Sequence, residues 1–228
     1  MIRSLPAEVP VAEAARALGI SDRRIRAMVR DGVLRGRRFA GRWVIRGADV
    51  ERRGREGSRP GRPLSPLNAW ALLQRLSSGT WPPLPAWERS RLQRKLGRRS
   101  VLSLADELRG RGQREHFRAD PRILERLLGD HALVRSGVSA ASEYHLDVRA
   151  PGVVEGYVPR DRLGDLVYRY ALRPADPGDA NVILRSVDPR VLLPGERIAP
   201  AAAVALDLLE SPDPRSRRAG RELARRTR

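Results

Sequence analysis

The residues best suited to chemistry in this sequence are four arginines near its N-terminus: Arg23, Arg24, Arg26 and Arg30. An arginine side chain is a planar fork that donates two parallel hydrogen bonds, which suits a phosphate group or the edge of a guanine. On a helix these arginines and Ala27 lie opposite an apolar face formed by Ile25, Met28 and Val29. A merely solvated face would normally include acidic residues among the basic ones. The pattern therefore predicts a helix that binds DNA.

Two short helices are needed to position these arginines. Apolar residues at positions i, i+3, i+4 and i+7 predict the first helix: Val11, Ala14, Ala15 and Leu18. Gly19 is suited to end this helix, since glycine adopts a left-handed cap without strain. Ser21 is placed to cap the second helix, which extends to Met28 or Asp31.

A basic hairpin is predicted directly after the second helix. Beyond Asp31 the spacing of apolar residues changes from the helical period to the period of two that is typical of strands. The apolar segments are VL, F and WVI, with a turn at Gly41 between the last two. The tip of this hairpin carries Arg37, Arg38 and Arg42. A short helix over residues 48–53 follows, so the order of elements is that of a winged helix-turn-helix.

The segments VAEAARALGISDRRIRAMVRDGVL and GRWVIRGADV resemble the excisionase and MerR-like winged-helix family. The resemblance covers about 45 residues in its helices, turn and wing. It implies that the second helix enters the major groove and that the wing contacts the backbone or the minor groove. By position it implies these DNA-facing residues: Ser21, Arg23, Arg24, Ala27 and Arg30. Arg23 and Arg24 are the candidates for guanine, and the three wing arginines for phosphates. The alternative is a small helical module for protein docking.

Residues 54–66 have the composition of a linker, rich in glycine, proline and arginine. Within them, RPGRP resembles the core of an AT-hook, which lies in a narrow minor groove. This resemblance makes Arg59 and Arg62 candidate DNA contacts. Proline stands directly before the glycine, where the usual hook has arginine, and a basic solvated linker is the favoured alternative.

Charge and composition limit the possible functions. The net charge is +18, and residues 1–62 carry 16 basic and 7 acidic residues, whereas residues 131–212 carry 9 and 11. A basic N-terminal half with a near-neutral body suggests a polyanion-binding domain joined to a domain of another function.

Lys95 is the one lysine, and codon bias in a GC-rich genome is the simplest reason for arginine over lysine. The absence of cysteine excludes disulfides and thiolate metal sites. Without an apolar span or a signal peptide, a cytoplasmic protein is expected.

The remaining chain predicts an α+β fold with two further domains. Residues 67–130 contain several helices and a strand over 114–118, which is compatible with a second winged helix. Its basic surface is either solvated or a second DNA contact. Residues 131–228 alternate strands and helices, which predicts a small α/β domain. The expected domains are therefore 1–53, 54–66 as linker, 67–130 and 131–228.

Residues 64–225 resemble the AbiEi family of type IV antitoxins, in segments such as GYVPRDRLGDLVYRYALRP and NVILRSVDP. The resemblance implies an autoregulating repressor of its own promoter whose C-terminal domain counters a nucleotidyltransferase-like toxin. Whether the toxin is bound directly, and whether the protein is a homodimer on DNA, stay open. The family's N-terminal domain is usually another winged-helix subtype, so an excisionase-like architectural or recombination-directionality factor is the alternative.

No catalytic motif stands out, and we expect neither an enzyme nor a cofactor. The histidines are too far apart for a helical metal pair, and there is no GxxxxGK[ST] loop. The best enzymatic alternative is a metal-dependent nuclease that uses Asp147 and Glu155. Such a site needs a lysine beside the second acid, where this chain has Gly156 and Tyr157.

Overall fold

The computed structural model describes residues 6–18, 20–39, 41–56, 63–192 and 195–227, with the backbone alone for 52–56. The chain divides into two compact units, Met1–Gly61 and Arg62–Arg228. Helices and strands are mixed, which confirms the α+β class. Within the described ranges, no helix is long and apolar enough to cross a membrane.

The N-terminal unit is a winged helix-turn-helix, as the sequence predicts. In chain order its elements are β1 (Glu8–Pro10), α1 (Val11–Leu18), α2 (Asp22–Arg30), β2 (Gly36–Phe39), β3 (Arg42–Arg46) and α3 (Gly47–Glu56). The strands form an antiparallel sheet in the order β1-β3-β2. The hairpin of β2 and β3 is the predicted wing, and Gly41 has a φ of 76° at its turn. Strand β1 was not predicted.

The core of this unit joins both helices to the sheet. Its buried side chains are Val9, Val11, Ala14, Ala15, Ile25, Met28, Leu34, Ile45 and Val50. The stripe predicted on α1 is therefore confirmed, with Leu18 partly buried at its end. Gly19, predicted to end this helix, lies outside the described residues.

The second unit contains seven helices and five strands among its described residues. The helices are α4 (Pro66–Ser78), α5 (Ala86–Leu96), α6 (Val101–Leu108), α7 (Leu124–Leu128), α8 (Leu163–Arg169), α9 (Ala201–Leu209) and α10 (Pro214–Arg226). The strands are β4 (Gln113–Arg118), β5 (Val134–Arg135), β6 (Val154–Pro159), β7 (Arg173–Pro174) and β8 (Val182–Val187). Short 3-10 helices occur at Arg109–Arg111, Pro121–Ile123, Gly137–Tyr144, Arg160–Arg162 and Pro189–Val191.

One sheet runs through this whole unit, in the order β5-β6-β8-β4-β7. Strand β8 pairs with β6 in parallel and with β4 in antiparallel orientation. Because β4 belongs to the expected middle domain and β6 and β8 to the expected C-terminal domain, the structure departs from a boundary at residue 130. The second winged helix suggested for residues 67–130 is wrong for the same reason: β4 is an inner strand of a larger sheet.

The two faces of this sheet differ in chemistry. Alternation along the strands places Val154, Val158, Val182 and Leu184 on one face, within an apolar cluster. The other face carries a mixed set of side chains: Arg114, His116, Glu155, Tyr157, Ile183 and Arg185. Helix α9 is buried along most of its length and belongs to the larger apolar cluster, as Tyr157 does.

Candidate nucleic-acid interface

The arginine-bearing helix α2 is fixed by its cap and by its apolar face. The Ser21 hydroxyl oxygen accepts a hydrogen bond from the backbone N–H of Arg24 at 3.3 Å, which confirms Ser21 as the cap. Ile25 is fully buried and Met28 is 6% exposed. An apolar inner face rotates the polar positions of the helix outward.

The outer face of α2 presents guanidinium groups to solvent. Arg23, Arg24, Arg26 and Arg30 are all exposed, and Ala27 is half-buried among them. Arg26 makes a long ion pair with Asp22, at 3.9 Å and with both side chains about half exposed. Within the described ranges the other three arginines have no acidic partner. We call these four arginines and Ser21 the α2 surface.

The wing arginines differ in their surroundings. Arg37 donates from Nε and Nη2 to the two carboxylate oxygens of Glu8, both at 2.8 Å. This hydrogen bonding lowers the pKa of Glu8 and raises that of Arg37. The guanidinium of Arg37 also lies 5.2 Å from the ring centre of Phe39, which is 60% exposed. A phosphate that binds Arg37 through this same Nε–Nη2 edge would therefore have to displace Glu8.

The other two wing arginines have no acidic partner among the residues described. Arg38 stacks over Trp43 at 5.8 Å, on the opposite face of the hairpin from Arg37. Arg42 is exposed next to the Gly41 turn. The wing therefore offers cations on both faces.

An ion pair between a buried acid and an exposed arginine, which the sequence did not reveal, fixes the base of the wing. Asp49 on α3 is 1% exposed, and its Oδ2 accepts from the backbone N–H of Arg35 at 3.0 Å and from Arg35 Nε at 3.2 Å. This contact ties Arg35, the residue directly before the first strand of the hairpin, to α3. The two residues are fourteen positions apart in the chain, and such a spacing does not indicate an ion pair.

The two linker candidates, Arg59 and Arg62, lie outside the described residues. Their minor-groove contact therefore stays a prediction.

In the second unit the sequence analysis missed a buried network of charges. Its members are Arg111, Ser136, Glu155, Tyr157, Arg185, Asp207 and Glu210. At its centre, Asp207 Oδ1 lies 2.6 Å from Arg111 Nη2 and 3.1 Å from Arg185 Nε, and Ser136 donates to the other oxygen. The network connects β6, β8 and α9, so it holds the helix to the sheet.

The balance between burial and the neighbouring charges differs for the two inner acids of this network. Burial alone would raise the pKa of Asp207, but the charges of Arg185 and Arg111 lower it below its ordinary value. For Glu155, burial is the largest effect and raises the pKa, although Arg185 opposes it at 2.8 Å. Asp207 is therefore the acid that compensates the buried guanidinium groups.

Asp147 and Glu155, the acids of the nuclease alternative, line the same cleft of about 1450 Å³. Asp147 is exposed, whereas Glu155 is 3% exposed and its Oε1 accepts from Arg185. His116 also lines this cleft, and burial together with Arg114 and Arg185 lowers its pKa. In the described part of the chain, no three acidic or histidine side chains are grouped so as to hold a metal ion.

Comparison with known proteins bears on the N-terminal unit. A family model described as a helix-turn-helix domain matches residues 11–55, which are α1, α2, the wing and most of α3. No curated protein matches the chain, and no solved structure does. The N-terminal unit is therefore a DNA-binding helix-turn-helix domain, similar to the excisionase-like domain that the sequence predicts.

Proposed function

We propose that this protein is a sequence-specific transcriptional repressor that binds an operator in its own promoter through the α2 surface. The observation that carries the proposal is that, among the residues the structure describes, Arg23, Arg24 and Arg30 have no acidic partner on a capped and well-anchored helix. Helices of this kind lie in the major groove, with their N-terminal residues against the base edges. Arg23 and Arg24 stand in the first turn of α2, and they are the residues we assign to guanine.

The wing is assigned to the phosphate backbone. Arg38 and Arg42 have no acidic partner among the described residues, so they contact phosphates without displacing one, whereas Arg37 must release Glu8 to use the same edge of its guanidinium. Phosphate contacts position a protein on the duplex but carry no sequence information. Base contacts and backbone contacts are therefore separated between α2 and the wing.

We further propose that the second unit is the antitoxin part of a type IV toxin-antitoxin pair, whose toxin is nucleotidyltransferase-like. The support is the resemblance of residues 64–225 to AbiEi antitoxins, together with the near-neutral charge of residues 131–212. We also propose that this unit acts without catalysis and in the cytoplasm. The engagement of Glu155 with Arg185 supports the absence of catalysis, because it occupies the acid that a nuclease would use for metal.

Footprinting of the full chain on its own promoter tests the repressor. We expect one protected site at moderate salt, and a promoter without any protected site would contradict the proposal. Arg23→Ala and Arg24→Ala should each weaken operator binding by about 1–3 kcal/mol while binding to random DNA changes little. Arg38→Ala should weaken both alike. Arg173→Ala, an exposed arginine of the second unit, is the matched control.

Two further measurements separate the finer assignments. Circular-permutation gel shifts that show a strong bend at an attachment site, with no effect on promoter activity, would favour a recombination-directionality factor. Co-expression with a nucleotidyltransferase-like protein from the neighbouring gene should relieve its toxicity. Continued toxicity at full expression of the chain would contradict the antitoxin role and leave the repressor intact.

A further inference from the structure

Helix α5 in the second unit presents a basic surface around an exposed tryptophan. The helix buries Leu92 and Leu96, which are 1% and 7% exposed, while Trp87 is 65% exposed. Arg91 and Arg94 follow Trp87 at spacings of four and seven, so all three side chains lie on one face. We define the α5 surface as these three residues together with Arg98, which follows the helix, and Arg89, which lies on another side of the helix and lines a hollow with Arg94.

The acids near α5 are already engaged. Glu88 lies 3.5 Å from Arg91. Glu107 on α6 receives both Lys95 and Arg99, the latter at 2.6 Å, and these cations lower its pKa against the effect of burial.

In the described part of the chain, the charges of three arginines of this surface are not compensated by a neighbouring acid. Arg89, Arg94 and Arg98 are exposed, and in the described part of the chain none has an acidic partner. Cations held close together without acids repel one another. Such a group is stabilised by a polyanion.

Trp87 gives the surface an apolar component beside its charges. The Arg91 guanidinium lies 5.6 Å from the centre of the indole ring, so the ring stays solvent-facing beside a cation. Elsewhere along the same helix, a shallow hollow of about 440 Å³ is lined by Trp81, Arg89, Ser90, Gln93 and Arg94. An indole supplies a flat apolar face and one N–H donor, which together fit a sugar and a phosphate oxygen.

We propose that the α5 surface is a second DNA contact, which binds the sugar–phosphate backbone of a duplex without reading its sequence. Arg89, Arg94 and Arg98 bind phosphates, and the Trp87 ring lies against a deoxyribose. DNA is favoured over an acidic protein because the chain's own helix-turn-helix keeps a duplex at high effective concentration. This contact goes beyond the proposed function, since it lies on the other unit and involves no operator.

The test measures binding of the full chain to a random-sequence duplex by fluorescence anisotropy over a range of salt concentrations. The variant Arg89→Gln/Arg94→Gln/Arg98→Gln should reduce the slope of log K against log salt by about 3, since each phosphate contact contributes roughly 0.9. The control variant Arg126→Gln/Arg160→Gln/Arg173→Gln removes the same charge from exposed sites of this unit and should keep the wild-type slope. Trp87→Ala should weaken binding, and Trp87→Phe should retain part of it. Circular dichroism checks that each variant folds.

Three results would overturn the inference. The first is an unchanged slope in the α5 variant, and the second is an equal decrease in the control, which would indicate net charge alone. The third is preference for single-stranded over duplex DNA that depends on Trp87, which would assign the surface to unpaired bases. Failure of the proposed function is distinguishable, because it appears as equal affinity for operator and random duplex and leaves this slope unaffected.

Discussion

Replacing Asp207 with asparagine tests whether the buried charge network holds the second unit together. Asp207 is fully buried, and its Oδ1 contacts Arg111 Nη2 at 2.6 Å and Arg185 Nε at 3.1 Å. Asparagine keeps the volume and one acceptor oxygen but removes the charge between the two guanidinium groups. Of the network's acids, Glu155 and the half-exposed Glu210 would then compensate both cations.

The expected loss follows from the uncompensated charge. A unit charge pair near 4 Å is worth about 4 kcal/mol at an effective dielectric constant of roughly 20, and Asp207 makes two such pairs. Part of this energy is recovered, because asparagine costs less to bury than a carboxylate. Removing one partner of a buried ion pair typically destabilises a protein by about 3–5 kcal/mol, and we expect Asp207→Asn to fall within this range.

Urea unfolding followed by tryptophan fluorescence measures this loss. The indole of Trp70 lies 4.8 Å from the ring of Tyr157 and donates to the Arg111 carbonyl at 2.7 Å, so its emission reports on the network. Trp43→Phe removes the tryptophan signal of the N-terminal unit from the background. With a slope of about 2 kcal/mol per M, the midpoint should fall by roughly 2 M at an unchanged slope.

Glu155→Gln is the matched control, since it removes a charge from the same network. Burial raises the pKa of Glu155, so folding favours its protonated form. The contribution of Glu155 to the stability of the fold is therefore complete below its pKa in the unfolded chain, and it is lost as pH rises through its pKa in the folded state. For Asp207 the pKa is lowered, so its contribution is present above the ordinary value of 3.8 and is lost as pH falls below it. Glu155→Gln should therefore cost less at neutral pH. Equal losses for the two variants would refute this assignment of the central acid.

Three other substitutions probe the wing, the cap and a close contact. Glu8→Gln frees its arginine partner on the wing and should steepen the salt dependence of random-duplex binding by about 1; an unchanged slope would mean that this arginine does not reach a phosphate. Ser21→Ala removes the cap of α2 and should cost about 1 kcal/mol in thermal unfolding of the N-terminal unit. Gly137→Ala would place a Cβ against the buried carboxylate of Glu155 at a φ of 51°. Its melting temperature should lie well below that of Gly152→Ala, which has a φ of 76° and nothing within 4 Å of the added Cβ.

Local signals were sufficient for most of the elements. The apolar stripe of α1, the serine cap of α2 and the period-two wing all depend on residues close in the chain, and the structure has each of them. Strand β8, with the sequence VILRSV, likewise lies in the part of the chain that was expected to alternate strands and helices. Strand β1 was missed because it has three residues and ends at Pro10. Its stability comes from pairing with β3, which lies more than thirty residues away.

Long-range pairings explain the errors in the second unit. No local pattern in the sequence indicates that β4 pairs with β8. This pairing joins residues 67–130 and 131–228, which were expected to be separate domains. The charged network was missed because arginine and aspartate are ordinarily exposed. A signal was nevertheless present: Asp207 is the one acid within the apolar run AAAVALDLL, and Arg185 interrupts the apolar strand VILRSV. A lone charge in an otherwise apolar element indicates a buried partner of opposite charge.

The arginines of this chain show which of its charges have a function outside the fold. Codon bias can explain why a cation is arginine, but it does not determine whether an acid stands beside it. Inside the second unit the buried arginines lie against carboxylates, as Arg185 does against Glu155 and Asp207. On α2 and on α5, Arg24 and Arg94 are among the arginines that have no such acid in the described residues. The absence of local acids, rather than the net charge of +18, is therefore the property that the α2 and α5 surfaces share and on which both proposed DNA contacts depend.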